Sequence, residues 1–570
     1  MDIYNEILSL NGEGLLKYWL ELCDDCRATQ EEVLKSIIEN SRDTEYGKAH
    51  NFSSIKSVED YRRNVDISDY DAFEDYIERM ANGERDLLFP GLTDFFISTS
   101  GTTGKSKKIP ESKEGLEAKS AVLTLRNGFL AKTLMENIMD SKKFKELIVN
   151  KNIDVNNLSR DLINNVHFYS VTSASPNKKT SGGIDIGFAS GKTFENSKFA
   201  SRLSYPKELM GLSDGEATMY LTMMFALRYD DVVFITSNNA GRFYSRIKYA
   251  QEHAEEMIND LRCGTISERL NISDDERKLF ESYIEPHPQR ADELEELLNR
   301  GRKYFIPKYY WKYLFVGRFW LSGSVGVNVD KVRKYLGDVL YFDIGYGASE
   351  GKLNIPFKND IGYGTLAITS VFFEFIPVGE DTVLTADELE DGGEYEIILT
   401  TYSGLYRYPL HDIVKVRGFV GNTPNIEFIS KSREILNIAQ EKVPAPGVLD
   451  CLNRFIESKG FNLRQAQIYP NNKEISYEIY IELENVNEFN QKDIDLDSLN
   501  IEFDDLLRNK FELYNRNRKF ESLEPLRIYV MREGWQKHLY DLKEKTGAPR
   551  SQVKLATMIN EAPENEWIII

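Results

Sequence analysis

The sequence predicts an α/β protein with a large N-terminal domain, residues 1–430, whose sheets are flanked by helices, and a small α+β domain, residues 431–570. Three observations support this prediction. Apolar segments of strand length alternate with longer amphipathic segments through the middle of the chain. The length of 570 residues suits two or three domains. The element pattern then changes near residue 430, and a unit of about 140 residues, a normal domain size, follows.

Composition and charge limit the classes to which the protein can belong. A hydrophobic content of 41% with 31 Phe and 31 Tyr is sufficient for buried cores and argues against disorder. Acidic residues outnumber basic ones by 91 to 71, and the net charge of −20 disfavours nucleic-acid binding. No apolar run approaches the ~18 residues that span a bilayer, and no basic secretory region is evident. We therefore expect a cytoplasmic protein without membrane or nucleic-acid partners, and the sequence does not indicate its oligomeric state.

The four cysteines are too few for a disulfide framework in a chain of this length. Cys23 and Cys26 form a C-x-x-C motif, but no second pair follows at the spacing of a zinc site. Because the surrounding residues have helical spacing, a structural role is favoured over metal binding or redox chemistry.

The individual elements follow from hydrophobic spacing. Apolar residues at helical spacing, such as Ile7, Leu15 and Trp19, predict amphipathic helices up to about residue 90, and a buried strand is predicted at Phe95–Ile97. Further strands are predicted in D-D-V-V-F-I-T and D-V-L-Y-F-D, with a long helix that begins at S-R-I-K-Y between them. The C-terminal domain should contain helices in A-P-G-V-L-D-C-L and D-S-L-N-I-E-F, and strands in I-S-Y-E-I-Y-I-E and L-R-I-Y-V. The two domains should join near Ser430–Arg433.

The first candidate functional segment is S-T-S-G-T-T-G-K-S-K-K-I-P, directly after the Phe95–Ile97 strand. Small residues let backbone N–H groups approach phosphate oxygens, and Lys105, Lys107 and Lys108 add positive charge. The segment is not a Walker A loop, because Thr99 occupies the position of the first glycine. An ordinary polar loop is the alternative. The combination of hydroxyl residues, glycines and three lysines after a buried strand favours phosphate binding.

The second segment is G-Y-G-A-S-E-G, again after an apolar strand. It matches the G-x-S-x-G pattern of serine hydrolases with Ser349 as nucleophile, but that elbow must open a helix. The following K-L-N-I-P has no helical spacing, and Pro356 disfavours a helix. Alternatively, Tyr346 offers a flat face for adenine and Glu350 an oxygen ligand for Mg²⁺. A simple strand-to-loop turn is equally compatible with this segment.

The third segment is L-Y-R-Y-P-L-H-D-I-V, in which Asp412 begins a strand. An acidic residue at a strand edge can accept hydrogen bonds from both hydroxyls of a ribose. A surface turn in which Arg407 pairs with Asp412 is the alternative. His411 is one of only six histidines, so few residues could serve as the histidine of a Ser-His-Asp triad.

These three segments occur in the order of the three nucleotide motifs of adenylate-forming enzymes. From about residue 40 to 558 the chain resembles the plant auxin-responsive acyl-acid amido synthetases, with support from F-F-E-F-I-P and S-R-E-I-L-N-I-A-Q-E-K. The resemblance implies that residues 1–430 form an adenylate-forming domain that binds ATP and an acyl acid. It also implies that residues 431–570 form a lid.

The resemblance assigns roles to individual residues. It makes Lys442 and Glu350 catalytic, with Glu350 as the Mg²⁺ ligand, and it makes Arg126 the partner of the acyl acid. The residues that it assigns to ATP binding are Thr99, Ser100, Gly101, Thr102, Thr103, Tyr346, Gly347, Asp412 and Lys442. Two departures from the family pattern are a phosphate loop that is shorter by about one residue and His411 in place of glycine.

The implied activity is ATP-dependent formation of an amide from a small carboxylic acid and an amino acid or other amine. Three alternatives remain open: transfer of the acyl group to a thiol such as coenzyme A, a serine hydrolase that uses Ser349, and a nucleotide-binding module without catalysis. Lys442, Glu350 and Asp412 argue against the last of these. The sequence does not identify the acid or the amine.

Overall fold

The computed structural model describes residues 2–99, 107–154, 164–171, 178–187, 201–212, 214–238, 240–322, 327–431, 435–484, 486, 489, 495–545 and 558–569. The chain forms two compact units, and the boundary between them lies between Ser430 and Lys431. The expected junction near Ser430–Arg433 includes residues 432 and 433, which lie outside the described residues.

The first unit begins with the helices that the apolar spacing predicts. They are α1 (Asp2–Ser9), α2 (Gly12–Asp24), α3 (Cys26–Ser41), α4 (Glu45–Ala49), α5 (Val58–Asn64) and α6 (Asp71–Ala81). Cys23 and Cys26 lie buried where α2 and α3 meet, and burial raises the pKa of both thiols to about 12. Within the described residues no group of three or more candidate ligands surrounds a metal position. The C-x-x-C motif is therefore part of the core.

The first unit contains three sheets. Its strands are β1 (Phe95–Thr99), β2 (Lys107–Glu111), β3 (His167–Val171), β4 (Lys178–Lys179), β5 (Asp185–Gly187), β6 (Val232–Ser237), β7 (Val316–Phe319), β8 (Leu340–Asp343), β9 (Asn354–Ile355), β10 (Gly364–Leu366), β11 (Phe372–Pro377), β12 (Leu384–Thr385), β13 (Glu394–Thr400), β14 (Tyr408–Val420) and β15 (Thr423–Lys431). The strand orders are β2-β1-β5-β4, β3-β6-β7-β8 and β12-β11-β13-β14-β15-β10-β9. The predicted strands in this part of the chain are confirmed in β1, β6 and β8.

The sheet β3-β6-β7-β8 is parallel throughout and is covered by helices on both faces, as parallel sheets require. Helix α7 (Lys113–Asn137) packs on one face, and α8 (Lys142–Asn150) follows it. The other face is covered by a second hydrophobic core. The other α-helices among the described residues of the first unit are Gly215–Leu227, Ala240–Glu252, Ala254–Cys263, Asp274–Glu281, Pro288–Asn299, Pro307–Tyr310 and Val327–Leu336.

The single long helix expected from S-R-I-K-Y onward is two helices. His253 separates them, because its backbone (φ −105°, ψ 22°) is not helical. The apolar spacing is continuous across this break, so the sequence pattern alone did not reveal it.

The second unit contains a three-stranded sheet and a short two-stranded one. Its strands are β16 (Ile435–Leu436), β17 (Val443–Pro444), β18 (Leu463–Asn471), β19 (Ser476–Leu483) and β20 (Arg527–Val530). The α-helices that the structure describes in this unit are Ala445–Ser458, Leu496–Lys510, Glu512–Lys519 and Trp535–Lys545. The predicted elements of this unit and the predicted α/β fold class are confirmed. In the described part of the chain no helix has an apolar stretch that could cross a bilayer.

The side chain of Gln30 connects α3 to the seven-stranded sheet. Its Nε2 donates to the carbonyls of Ile368 and Val371, at 2.6 and 2.9 Å, and its Oε1 accepts from the Phe373 N–H at 2.8 Å. Gln30 is buried, so water could not pair with these backbone groups if the Gln30 side chain were removed.

We predict that Gln30→Ala lowers the free energy of unfolding by ~3 kcal/mol, because three buried backbone groups lose their partner. Urea unfolding of the two proteins measures the difference. Glu31→Ala, at an exposed neighbouring position, is the matched control and should change stability by less than about 0.5 kcal/mol. Equal stability of the two variants would contradict the role of Gln30.

Candidate active site

The second sequence motif lies at the carboxyl end of the parallel sheet, where ligands bind in open α/β folds. Asp343, the last residue of β8, accepts hydrogen bonds from the backbone N–H groups of Leu321, at 2.7 Å, and Gly345. Leu321 follows β7 and Gly345 begins the motif, so one carboxylate ties both chain segments to the sheet edge. Burial raises the pKa of Asp343 to about 6.

Arg126, on α7, holds the loop that follows β8. Its guanidinium donates to the carbonyls of Ile344 (3.1 Å), Tyr346 (2.9 Å) and Asn354 (2.6 and 2.9 Å). Gly345 has φ +86°, and a Cβ there would overlap this guanidinium, so the loop requires glycine. The predicted pairing of Arg126 with the acid substrate stays a prediction, since the observed contacts give this residue a structural role.

Tyr346 and Asp412 join the second and third motifs. The Tyr346 hydroxyl donates to Asp412 Oδ2 at 2.6 Å, although the two residues are 66 positions apart in sequence. Both residues are buried, and the Tyr346 ring packs against Phe428 with centroids 5.4 Å apart. The structure therefore brings together the residues predicted for adenine and ribose. In this conformation Tyr346 supports Asp412 and does not present an open face for adenine.

A bulge in β14 directs Asp412 toward Tyr346. Glu396 pairs with Ile413 and Ile398 pairs with Pro409, so three residues of β14 lie opposite one residue of β13. Within the bulge His411 has φ +55°, in the left-handed region. Such a backbone explains why a glycine suits this position in the family pattern.

Hydrogen bonds hold the His411 side chain in place despite this backbone conformation. Nδ1 lies 2.8 Å from Glu396 Oε1 and Nε2 lies 2.6 Å from Asp69 Oδ1. Arg407, the other basic residue of the motif, is buried. It pairs with Glu374, with Nε 2.8 Å from Oε2. The ion pair considered between Arg407 and Asp412 is thus replaced by one to Glu374.

Most of the first motif falls outside the described residues. Thr99 ends β1, and Ser100, Gly101, Thr102, Thr103 and Lys105 are not among those described. Lys108 pairs with Glu78 through its Nζ at 2.6 Å. The Lys107 Nζ lies 3.3 Å from the Tyr408 hydroxyl and 5.0 Å from the centre of the Tyr70 ring. These two lysines therefore have partners within the first unit.

Gly347, Ser349 and Glu350 lie in the loop after β8. Gly347 is exposed and forms a β-bridge with Lys352, while Ser349 and Glu350 are partly buried. The chain continues from this loop into β9, not into a helix. The nucleophile elbow that the serine hydrolase alternative requires is absent from this fully described segment, so that alternative is wrong.

Positive side chains surround the same loop. Lys119 Nζ donates to Glu111 Oε2 at 2.7 Å and to the Ser349 carbonyl at 3.1 Å. Burial, together with the positive charges of Arg126 and Lys119, lowers the pKa of Lys352 to about 7. The environment of the loop suits an anionic ligand.

Lys442, in the second unit, lies in a loop shaped by a buried glutamate that the sequence analysis missed. Glu441 accepts from the backbone N–H groups of Ile438, at 2.7 Å, and Ala439, at 2.8 Å, and from the Tyr477 hydroxyl. Burial raises the pKa of Glu441. Lys442 itself is exposed, with φ +46°. A glutamate beside a lysine is usually a solvated pair, so no sequence signal distinguishes Glu441 from a surface acid.

Comparison with solved structures identifies the fold. The fold matches that of the GH3.15 acyl acid amido synthetase, with a TM-score of 0.62, 21% identity and coverage of 98% of this chain and 97% of the other. A complex of the same type of enzyme with 2,4-DB matches with a TM-score of 0.64, 21% identity and coverage of 96% and 94%. The fold is therefore shared with acyl acid amido synthetases.

Family models identify the chain more closely. The GH3 family N-terminal, central and C-terminal domains match residues 15–341, 364–431 and 455–563. The chain belongs to the GH3 family, which confirms the resemblance inferred from the motifs. Its relatives include the jasmonoyl–L-amino acid synthetase JAR6 of Nicotiana attenuata, 26% identical over 75% of this chain and 73% of that one. Another is the 4-substituted benzoates-glutamate ligase GH3.12 of Arabidopsis thaliana, 24% identical over 95% and 94%.

We predict that His411→Gly is more stable than His411→Ala by about 1 kcal/mol, because only alanine keeps a Cβ in the left-handed backbone. Both variants lose the same imidazole contacts, so their difference isolates the backbone effect. Urea unfolding gives the two free energies.

The matched control is Lys415, also on β14 but outside the bulge, where Gly should be less stable than Ala. The same order at both positions would show that the conformation of residue 411 is not a constraint.

Proposed function

We propose that the protein is an ATP-dependent acyl-acid amido synthetase. A carboxylate oxygen attacks the α-phosphorus of ATP, the bond to the β-phosphate oxygen breaks, and acyl-adenylate and pyrophosphate form. The nitrogen of an amino acid or another amine then attacks the acyl carbon. The bond between this carbon and the phosphate oxygen breaks, AMP leaves, and the nitrogen loses a proton.

The observation that carries this proposal is the hydrogen bond between Tyr346 and Asp412. It unites the second and third motifs beside the carboxyl end of the parallel sheet, where Asp343 and Arg126 fix the loop. Membership in the GH3 family supports the same activity, since the named relatives are a jasmonoyl–L-amino acid synthetase and a 4-substituted benzoates-glutamate ligase.

The residues of this chain supply positioning and charge. Asp412 offers a carboxylate, an acceptor-only group, to the hydroxyls of a ribose. Glu350 is the residue that would hold Mg²⁺, because this ion uses one or two carboxylates together with substrate phosphates. When bound, Mg²⁺ would neutralise charge on the phosphates. Lys442 would add a further positive charge at the phosphates.

Release of AMP from ATP separates the two possible acceptors. We expect a carboxylic acid to support AMP release with one or more amino acids, with one amide formed for each AMP. AMP release with coenzyme A alone, together with thioester formation, would support acyl transfer to a thiol and contradict the proposal. A cytoplasmic location and the absence of nucleic-acid and membrane partners stay expectations from the sequence.

We predict that Lys442→Ala slows acid-dependent pyrophosphate exchange by ~10²–10³, the usual effect of removing a preorganised charge. Its melting temperature should not change, because Lys442 is exposed. Lys473→Ala, at another exposed lysine of the second unit, should keep full exchange activity. Normal exchange in folded Lys442→Ala would remove this residue from the mechanism.

We predict that Asp412→Asn weakens ATP binding by about 10–150-fold, the effect of losing a hydrogen bond to a charged acceptor. Asparagine keeps an oxygen for the Tyr346 hydroxyl, so the fold should be retained. Calorimetric titration with ATP measures the affinity.

Tyr346→Phe is the comparison for Asp412→Asn, since it leaves the carboxylate in place and should weaken ATP binding less. Equal ATP affinity in wild type and Asp412→Asn would show that Asp412 only supports the fold.

A further inference from the structure

A second arginine, which is partly buried, lies beside the candidate site. Arg318 is on β7, an inner strand of the parallel sheet, and its Nε is closed to solvent. Within the described residues the guanidinium makes no hydrogen bond and no ion pair, and its Cζ lies 5.7 Å from the centre of the Phe234 ring. A partly buried guanidinium whose inner nitrogen has no protein acceptor is suited to bind an anionic ligand.

The charges around Arg318 do not balance. Arg126 and Arg318 are close enough that the charge of Arg318, after burial, helps to lower the pKa of Arg126 to about 9. Asp343 is the carboxylate that acts on both, and its oxygens already accept two backbone hydrogen bonds. The buried Arg126 and the partly buried Arg318 thus share one buried anion, and a second anion would complete the group.

A second donor close by also lacks an acceptor. The Nε1 of Trp320, two residues after Arg318, is buried and has no hydrogen-bond partner among the described residues. Its ring packs on Phe428, which in turn contacts Tyr346, so this donor lies next to the second motif. Donors without acceptors favour a ligand that only accepts hydrogen bonds, and an ionised carboxylate is such a group.

The Phe234 ring next to Arg318 belongs to a group of aromatic side chains. Phe168 and Phe234 stand on adjacent strands with ring centroids 5.9 Å apart, and Phe129 of α7 packs against the same hydrophobic cluster. All three rings, like Trp320, are only partly buried. Apolar walls with a few polar groups are typical of small-molecule sites.

We propose that Arg318 determines acid specificity by binding the carboxylate of an aromatic acyl acid. This inference rests on the proposed function and assigns the acid partner to Arg318, while Arg126 holds the loop. The aromatic side chains contact the ring of the acid, and the charge of the carboxylate completes the group of Arg126, Arg318 and Asp343.

The test compares Arg318→Met, which removes the charge but keeps a long side chain, with Arg318→Lys, which keeps the charge. Benzoate is the probe in ATP–pyrophosphate exchange, with hexanoate and uncharged benzamide as comparisons. We expect Arg318→Met to raise KM for benzoate by about 10–100-fold and to leave KM for ATP within about 2-fold, with a smaller effect for Arg318→Lys. The melting temperature of Arg318→Met should stay equal or rise, since a partly buried charge without a protein acceptor is removed.

Arg246→Met is the matched control. Arg246 is also an arginine with a buried Nε, but its guanidinium acts on the Tyr169 hydroxyl in the core on the other face of the sheet. Its KM for benzoate should equal that of the wild type. A lower melting temperature and equal increases of both KM values in Arg318→Met would indicate a structural role and overturn the proposal, as would a preference for hexanoate in the wild type.

Failure of the proposed function gives a different result. If the wild type exchanges pyrophosphate with none of these acids, calorimetric titration with benzoate alone tests Arg318 directly. Benzoate binding that Arg318→Met abolishes would support the anion site without the reaction. No benzoate binding to the wild type, or equal binding to wild type and Arg318→Met, would overturn the proposal.

Discussion

The hydrogen bonds from Arg126 to the loop after β8 are the constraint on which the rest of the candidate site depends. An irregular loop next to a core has carbonyl groups that cannot pair in a ladder, and burying them without partners is costly. One guanidinium satisfies the carbonyls of Ile344, Tyr346 and Asn354. The loop can therefore approach the sheet closely, and this placement brings the Tyr346 hydroxyl to Asp412.

Four of the ten described non-glycine residues with positive φ lie next to the predicted chemistry. Arg407 and His411, in the third motif, have φ +47° and +55°, and Gln440 and Lys442, around the predicted lid lysine, have φ +69° and +46°. Each such residue costs about 1–3 kcal/mol unless its surroundings hold it. Side-chain contacts provide this support. Glu374 holds Arg407, and Glu441 fixes the loop of Lys442. The carboxylates of Glu396 and Asp69 hold His411.

Regular elements and motif positions could be predicted from the sequence, but supporting residues could not. Strands such as β1, β6 and β8 are short apolar runs next to turn residues. The first two motifs directly follow such strands, so order along the chain was sufficient to predict where these motifs lie. Arg126 was assigned from a resemblance, and its three carbonyl partners come from a loop more than 200 residues away. Glu374 and Glu441 look like ordinary surface acids in sequence, because their burial depends on tertiary packing. The break at His253 was missed for the same reason: apolar spacing reports which face is buried, not whether the backbone is continuous.

The charged residues in and near the core differ in how completely the protein itself satisfies their hydrogen bonds. This difference distinguishes residues that stabilise the fold from a residue that binds a ligand. Arg126, Asp343 and Glu441 are each matched by backbone groups, so the protein itself stabilises their charge. Arg318 has a neighbouring carboxylate and an aromatic ring but no acceptor among the described residues. A chain that evolved only for stability would replace such a group by an apolar one. A charge in the protein interior, paired or single, rarely stabilises the fold more than a well-packed hydrophobic side chain does. Retaining the charge is reasonable when a ligand supplies the missing acceptor, since the same desolvation that destabilises the free protein then strengthens the interaction with the ligand.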